Sequence, residues 1–124
     1  MSYSINFILK DDYLHVRIEG ENTAENVKRY LAEVQDLCLQ HKCNKVLIEE
    51  NLTGPTISTY NIFTIAEQGS RHISPDIHKI AYIDMNPEHN TEAMHFAETV
   101  AQNRGVNIRL FTDLQLAIEW IGSS

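Results

Sequence analysis

The sequence predicts an α/β fold: a mostly parallel five-stranded sheet with an antiparallel N-terminal hairpin and four helices, in the order ββαβαβαβα, forming a single domain over residues 1–124. Three observations predict it. Val46–Ile48 and Ile80–Ile83 are apolar without alternation, as strands covered on both faces must be. Stretches with apolar residues three and four apart follow the strands, which is the period of helices packed on a sheet. Near the N-terminus, Leu14, Val16 and Ile18 alternate with His15, Arg17 and Glu19, so that strand has one wet face and belongs toward a sheet margin.

Taken in order, Ile5 to Lys10 and Tyr13 to Gly20 read as two strands joined at Asp11-Asp12. Asn22, with Glu25 three residues on, is the expected cap of a first helix whose stripe is Val27, Tyr30, Leu31, Val34, Leu37 and Cys38. Lys45 to Glu50 is the next strand. A Gly54-Pro55 break follows, and Ser58 or Thr59 can cap a second helix with Ile62, Ile65, Ala66, Gly69 and Ile73 inward. Lys79 to Met85 is a strand ending in Asp84. Asn90 then caps a third helix with Ala93, Phe96, Ala97, Val100 and Ala101 inward, and Gly105 stops it. Val106 to Phe111 is the last strand, and Thr112 with Gln115 forms the expected box at the start of the fourth helix. The two strands without alternation are expected to be parallel neighbours at the centre, with Glu50 and Asp84 at the same edge.

Composition narrows the function. With 43% apolar residues, three prolines and five glycines among 124 residues, the chain is globular. A formal net charge of −7 argues against a nucleic-acid backbone or an anionic membrane as partner. No apolar run approaches the ~18 residues of a membrane span and the start lacks a secretory pattern, so no membrane insertion and a cytoplasmic location are expected. Cys38 and Cys43 read as a core thiol and a helix-end thiol; with His41 they lack a fourth ligand for a metal.

The order of elements, with a strand–turn–Ser/Thr–helix unit in the middle, resembles the STAS fold, named for sulfate transporters and anti-sigma-factor antagonists. The CRAL-TRIO lipid-transfer domains have a similar architecture. STYNIFTIAEQ (Ser58 to Gln68) and FAETVAQNRGVNIRLFTDLQLAIEWI (Phe96 to Ile121) look like segments of small, mostly uncharacterised bacterial STAS-like proteins with a SpoIIAA-like fold. The resemblance implies a regulatory module that works through a protein partner. In the antagonist branch a Ser just before the second helix is phosphorylated, which makes Ser58 and Thr59 the matching candidates. Here no Asp precedes that Ser, and Tyr60 stands where a small residue is usual.

The strand–turn–helix stretch around Glu50 sits where open α/β sheets place a ligand or partner. The expected surface is the Asn51–Tyr60 turn with the Asp84–Asn90 loop, and its candidate residues are Glu50, Asn51, Thr53, Ser58, Thr59, Tyr60, Asp84, Asn86 and His89. A protein partner is the leading reading. A carrier of a small apolar or amphipathic ligand is the alternative, favoured if a deep apolar pocket is present. An acid/base or metal-dependent enzyme built on Glu50, Asp84 and His89 is a third, favoured by clustered acids held near neutral pH. No catalytic residue, metal or cofactor is expected. On the fourth helix, Leu116 and Trp120 widen the apolar arc beyond Leu114, Ala117, Ile118 and Ile121, so either the rest of the fold or a second copy covers them. A homodimer burying Leu116 and Trp120 is the expectation.

Overall fold

The computed structural model describes residues 2–89 and 91–123. Five strands and four helices follow the predicted order: β1 (Tyr3–Leu9), β2 (Leu14–Glu21), α1 (Ala24–Gln40), β3 (Lys45–Thr53), α2 (Thr59–His72), β4 (Lys79–Asp84), α3 (Thr91–Asn103), β5 (Ile108–Phe111) and α4 (Leu114–Gly122). The strands lie side by side in chain order. β1 pairs antiparallel with β2, and every other pair is parallel. The expected central pair is present, with Val46 opposite Ile80 and Glu50 opposite Asp84.

Period-two alternation divides the sheet into two faces. Toward α1, α2 and α3 point Leu14, Val16, Ile18, Val46, Ile48, Leu52, Ile80 and Tyr82, which meet Val27, Tyr30, Val34 and Cys38 of α1 and Ile65 of α2. Toward α4 point Tyr13, Leu47 and Ala81, packed on Ala117 and Ile121. Coverage from both sides is the reason β3 and β4 carry no polar alternation. α4 is held at its end by Lys79, whose Nζ donates to the carbonyls of Trp120 (2.7 Å) and Ser123 (2.8 Å).

Element ends depart from expectation where two capping residues stand side by side. Thr23, not Asn22, caps α1 by accepting from the Asn26 N–H at 3.1 Å. Asn22 is engaged elsewhere, donating to the Pro55 carbonyl at 2.9 Å. Asp113, not the Thr112–Gln115 box, caps α4, its Oδ1 accepting from the N–H groups of Gln115 (2.8 Å) and Leu116 (3.2 Å). β3 runs three residues past Glu50 because β2 continues to Glu21, giving Leu52 and Thr53 partners. Gly20 permits that continuation: its φ is +143°, and a Cβ there would lie 2.6 Å from the Tyr3 Cα. Gly105, at φ +87°, ends α3 as expected. Phe96, read as inward, is 43% exposed and stacks on Phe63 with ring centroids 6.0 Å apart. Gly69 is likewise exposed. The Asn90 cap lies outside the described residues.

Candidate functional site

Residues 46, 48, 50 and 52 of β3 share the face toward α1–α3, so the run that buries Val46, Ile48 and Leu52 also buries Glu50, 3% exposed. Two tyrosines meet it. Tyr30 comes from the buried stripe of α1 and Tyr82 from the same face of β4. Both hydroxyls donate to Glu50 Oε2, and they lie 3.0 Å from each other. Opposite Glu50 on β4, Asp84 Oδ1 accepts from the Asn86 N–H at 3.0 Å, and Asp84 Oδ2 accepts from His89 Nδ1 at 2.6 Å. His89 Nε2 lies 3.0 Å from the Gly54 carbonyl and 3.3 Å from Asn22 Nδ2. The carbonyl contact needs a proton on Nε2 and the amide contact a lone pair there, so the two belong to different protonation states of the ring.

Burial sets the charge states. It pushes the Glu50 carboxyl from an ordinary 4.5 up to about 7; the tyrosyl hydrogen bonds pull the other way without offsetting it. Burial and the Glu50 charge hold Tyr30 and Tyr82 far above the usual phenol range, so both remain donors. His89 is lowered by burial, but the bonds to Asp84 and Gly54 outweigh this and leave it raised. Glu50, Asp84 and His89 offer ligand atoms within 4.8 Å of one another. Because His89 holds both nitrogens in hydrogen bonds, coordinating a cation there requires it to surrender one of them.

Above this cluster the helices stand off the sheet and leave a cavity of about 390 Å³. Its walls are mainly aliphatic: Val27 and Leu31 of α1, Val46 and Ile48 of β3, Ile62, Ile65 and Ala66 of α2, Ile80 of β4, Met94 and Ala97 of α3, and Leu110 of β5. Glu50, Tyr82, Asp84, His89 and Asn22 supply polar groups to the same wall set. An apolar pocket of this size with a few convergent polar groups is the usual form of a small-molecule site.

The structure brings Glu50, Asp84, Asn86 and His89 together and separates the other candidates from them. Asn51 and Thr53 belong to β3 and, by alternation, face away from Glu50; the expected turn shrinks to the stretch after Thr53. Asn86 is spent on local structure, its Nδ2 donating to the Leu52 carbonyl at 2.9 Å. Ser58 caps α2, accepting from the Asn61 N–H at 3.2 Å, and Thr59 opens the helix. Tyr60 stands in solvent, 76% exposed. On α4, Trp120 is half-buried against Phe111 and beneath Lys79, whose Nζ is 4.6 Å from the ring centroid; Leu116 is 55% exposed. The cysteines are free, and burial pushes the Cys38 thiol up to about 12. Sequence reasoning missed Tyr30, Tyr82 and Asn22 as site residues. The available signal was a hydroxyl-bearing ring within an otherwise apolar stripe, which when buried needs a partner.

No protein-family model and no curated protein sequence matches this chain. Solved structures are similar in fold. An anti-sigma factor antagonist from Mycobacterium paratuberculosis superposes with a TM-score of 0.64 at 11% identity, over 98% of this chain and 96% of that one. An uncharacterised protein of the DUF3478 family with a SpoIIAA-like fold, from Shewanella loihica PV-4, gives 0.54 at 15% identity, over 96% and 93%. The chain has the STAS-like, SpoIIAA-like fold.

A buried acid with a raised pKa makes stability depend on pH in a defined direction. Folded Glu50 keeps a proton between about 4.5 and about 7 that the unfolded chain releases, so stability falls as pH rises through this window. His89, also raised, adds stability below its unfolded value that is lost as pH rises through its folded one, in the same direction. Glu50→Gln keeps the acceptor for both tyrosines and removes the ionisation. Urea denaturation is expected to show the variant gaining about 3 kcal/mol on wild type between about pH 5 and about pH 8. An unchanged difference across that range contradicts a buried, proton-holding Glu50.

Proposed function

We propose that this chain is a non-catalytic binding module whose chamber between the sheet and α1–α3 takes up one small amphipathic molecule. The observation that carries the reading is the cavity of about 390 Å³ with aliphatic walls and charged groups confined to a few positions. At roughly 30 Å³ per heavy atom, the share of a liquid water, it suits a ligand of about a dozen such atoms. Burying about ten methylenes supplies at most roughly 8 kcal/mol, the scale of a micromolar complex.

Native mass spectrometry of the protein purified from cells tests this, together with titration by an apolar fluorescent probe. A retained ligand mass, or stoichiometric probe uptake, is expected. Ala66→Phe, which fills the chamber from α2, is expected to weaken uptake at least about tenfold with the helical content unchanged. A bare chain that takes up no probe removes the reading.

A second reading rests on the N-terminus of α2, where the Ser58 cap and Tyr60 are both exposed. The fold shared with an anti-sigma factor antagonist supports a regulatory protein partner at this surface. A phosphate on Ser58 or Thr59 would sit against free helix N–H groups and add negative charge beside Tyr60. Pull-downs with Tyr60→Ala and Ser58→Asp are expected to lose a partner that wild type retains; identical partners for all three proteins count against it. Self-association through α4 is a separate proposal, resting on exposed Leu116 beside half-buried Trp120. Sedimentation of Leu116→Ser is expected to shift a wild-type dimer to monomer, and a monomeric wild type at high concentration ends that proposal.

A further inference from the structure

Resting on the chamber reading, the donors and acceptors at the chamber's polar end can be counted. The tyrosyl hydroxyls of Tyr30 and Tyr82 are both spent on Glu50 Oε2. Both ring nitrogens of His89 are engaged, Nδ1 by Asp84 and Nε2 by the Gly54 carbonyl and the Asn22 amide. Asn22 Nδ2 also donates to the Pro55 carbonyl. Glu50 Oε1, by contrast, has no hydrogen-bond partner among the described residues. Among them no fully enclosed side-chain oxygen or nitrogen lacks a partner, so Oε1 opens onto the chamber that Glu50 lines. Once Glu50 is ionised, its unfilled capacity is that of an acceptor, on a side chain more than nine-tenths buried.

We propose that the chamber selects an amphiphile whose head donates hydrogen bonds to Glu50, a primary alkylammonium before an alcohol, and rejects the corresponding carboxylate. With Glu50 ionised, the polar end of the chamber is lined by the carboxylates Glu50 and Asp84, by His89 against Asp84, and by the neutral phenol of Tyr82, and Glu98 adds a further carboxylate to the chamber wall. The balance is negative in either protonation state of His89, and an ammonium reduces it. An alcohol fills the acceptor without the charge. A carboxylate meets two like charges and donors already committed to other acceptors, at the desolvation cost of an unpaired anion. Lys28, which borders the chamber, is exposed and does not change that balance.

Decylamine, decanol and decanoate share a tail that matches the chamber and differ in the head. Calorimetric titration near pH 8, where Glu50 is ionised, is expected to rank them in that order, with decylamine at least about tenfold tighter than decanoate, as a hydrogen bond to a charged group requires. Glu50→Gln is expected to weaken decylamine about tenfold and to leave decanol within about threefold. Decanoate binding as tightly as decylamine overturns the head preference and leaves the chamber reading standing. A decylamine preference unchanged in Glu50→Gln traces it to the overall negative charge of the chain and overturns the role of Glu50. Failure of all three to bind removes the chamber reading as well. The ranking in wild type does not depend on how well the variant folds.

Discussion

Everything near the centre of this molecule depends on one carboxyl. Glu50 lies in the middle strand of the sheet, and both neighbouring positions on its face, Ile48 and Leu52, are buried apolar residues. A carboxyl there is largely withdrawn from solvent, and two phenolic hydroxyls converge on one of its oxygens. Those hydroxyls belong to different elements, so the contact fastens α1 and β4 to β3. The dependence is mutual: without the acid, Tyr30 and Tyr82 would bury hydroxyls with only each other as partners.

The two faces of the sheet are closed in different ways. On the α4 side, Ala81 and Ala117 are completely buried and let helix and sheet approach closely, with Lys79 fixing the helix end. On the other side, Val46, Ile48 and Ile80 meet three helices whose side chains do not fill the intervening space. The acid with its tyrosines, and the Asp84–His89 pair that ties β4 to the Gly54 carbonyl, lie on that same loosely filled side. Polar groups are therefore concentrated where the packing is open. This juxtaposition gives the chamber a chemical direction and not merely a volume.

Much of this was legible beforehand, for identifiable reasons. Val46–Ile48 and Ile80–Ile83 lack alternation because helices cover both of their faces, and their pairing and register emerged as expected. Glu50, Asp84 and His89 stood out as acids and a histidine at strand ends, where α/β sheets gather chemistry. Caps were harder: Asn22 beside Thr23 and Thr112 beside Asp113 offer nearly equal propensity, and the choice is made by distant contacts such as Asn22 with Pro55. Asn51 and Thr53 read as turn residues because nothing local reveals that β2 extends to Glu21 to pair with them. Tyr30 and Tyr82 read as packing residues because a tyrosine in an apolar stripe has the period of the core; only the meeting of α1 with β3 and β4 discloses the use of their hydroxyls. The chamber itself has no local signature, since it reflects how far helices stand from a sheet.

Glu50 is thus a buried acid holding its proton near neutrality at the polar end of an open chamber. Carbon-detected NMR titration of the Glu50 side-chain carboxyl in the folded protein measures this directly. A midpoint of about 7 is expected, with the Tyr30 and Tyr82 ring signals moving in the same transition. A midpoint at the ordinary 4.5, with the tyrosine signals unmoved, would contradict it.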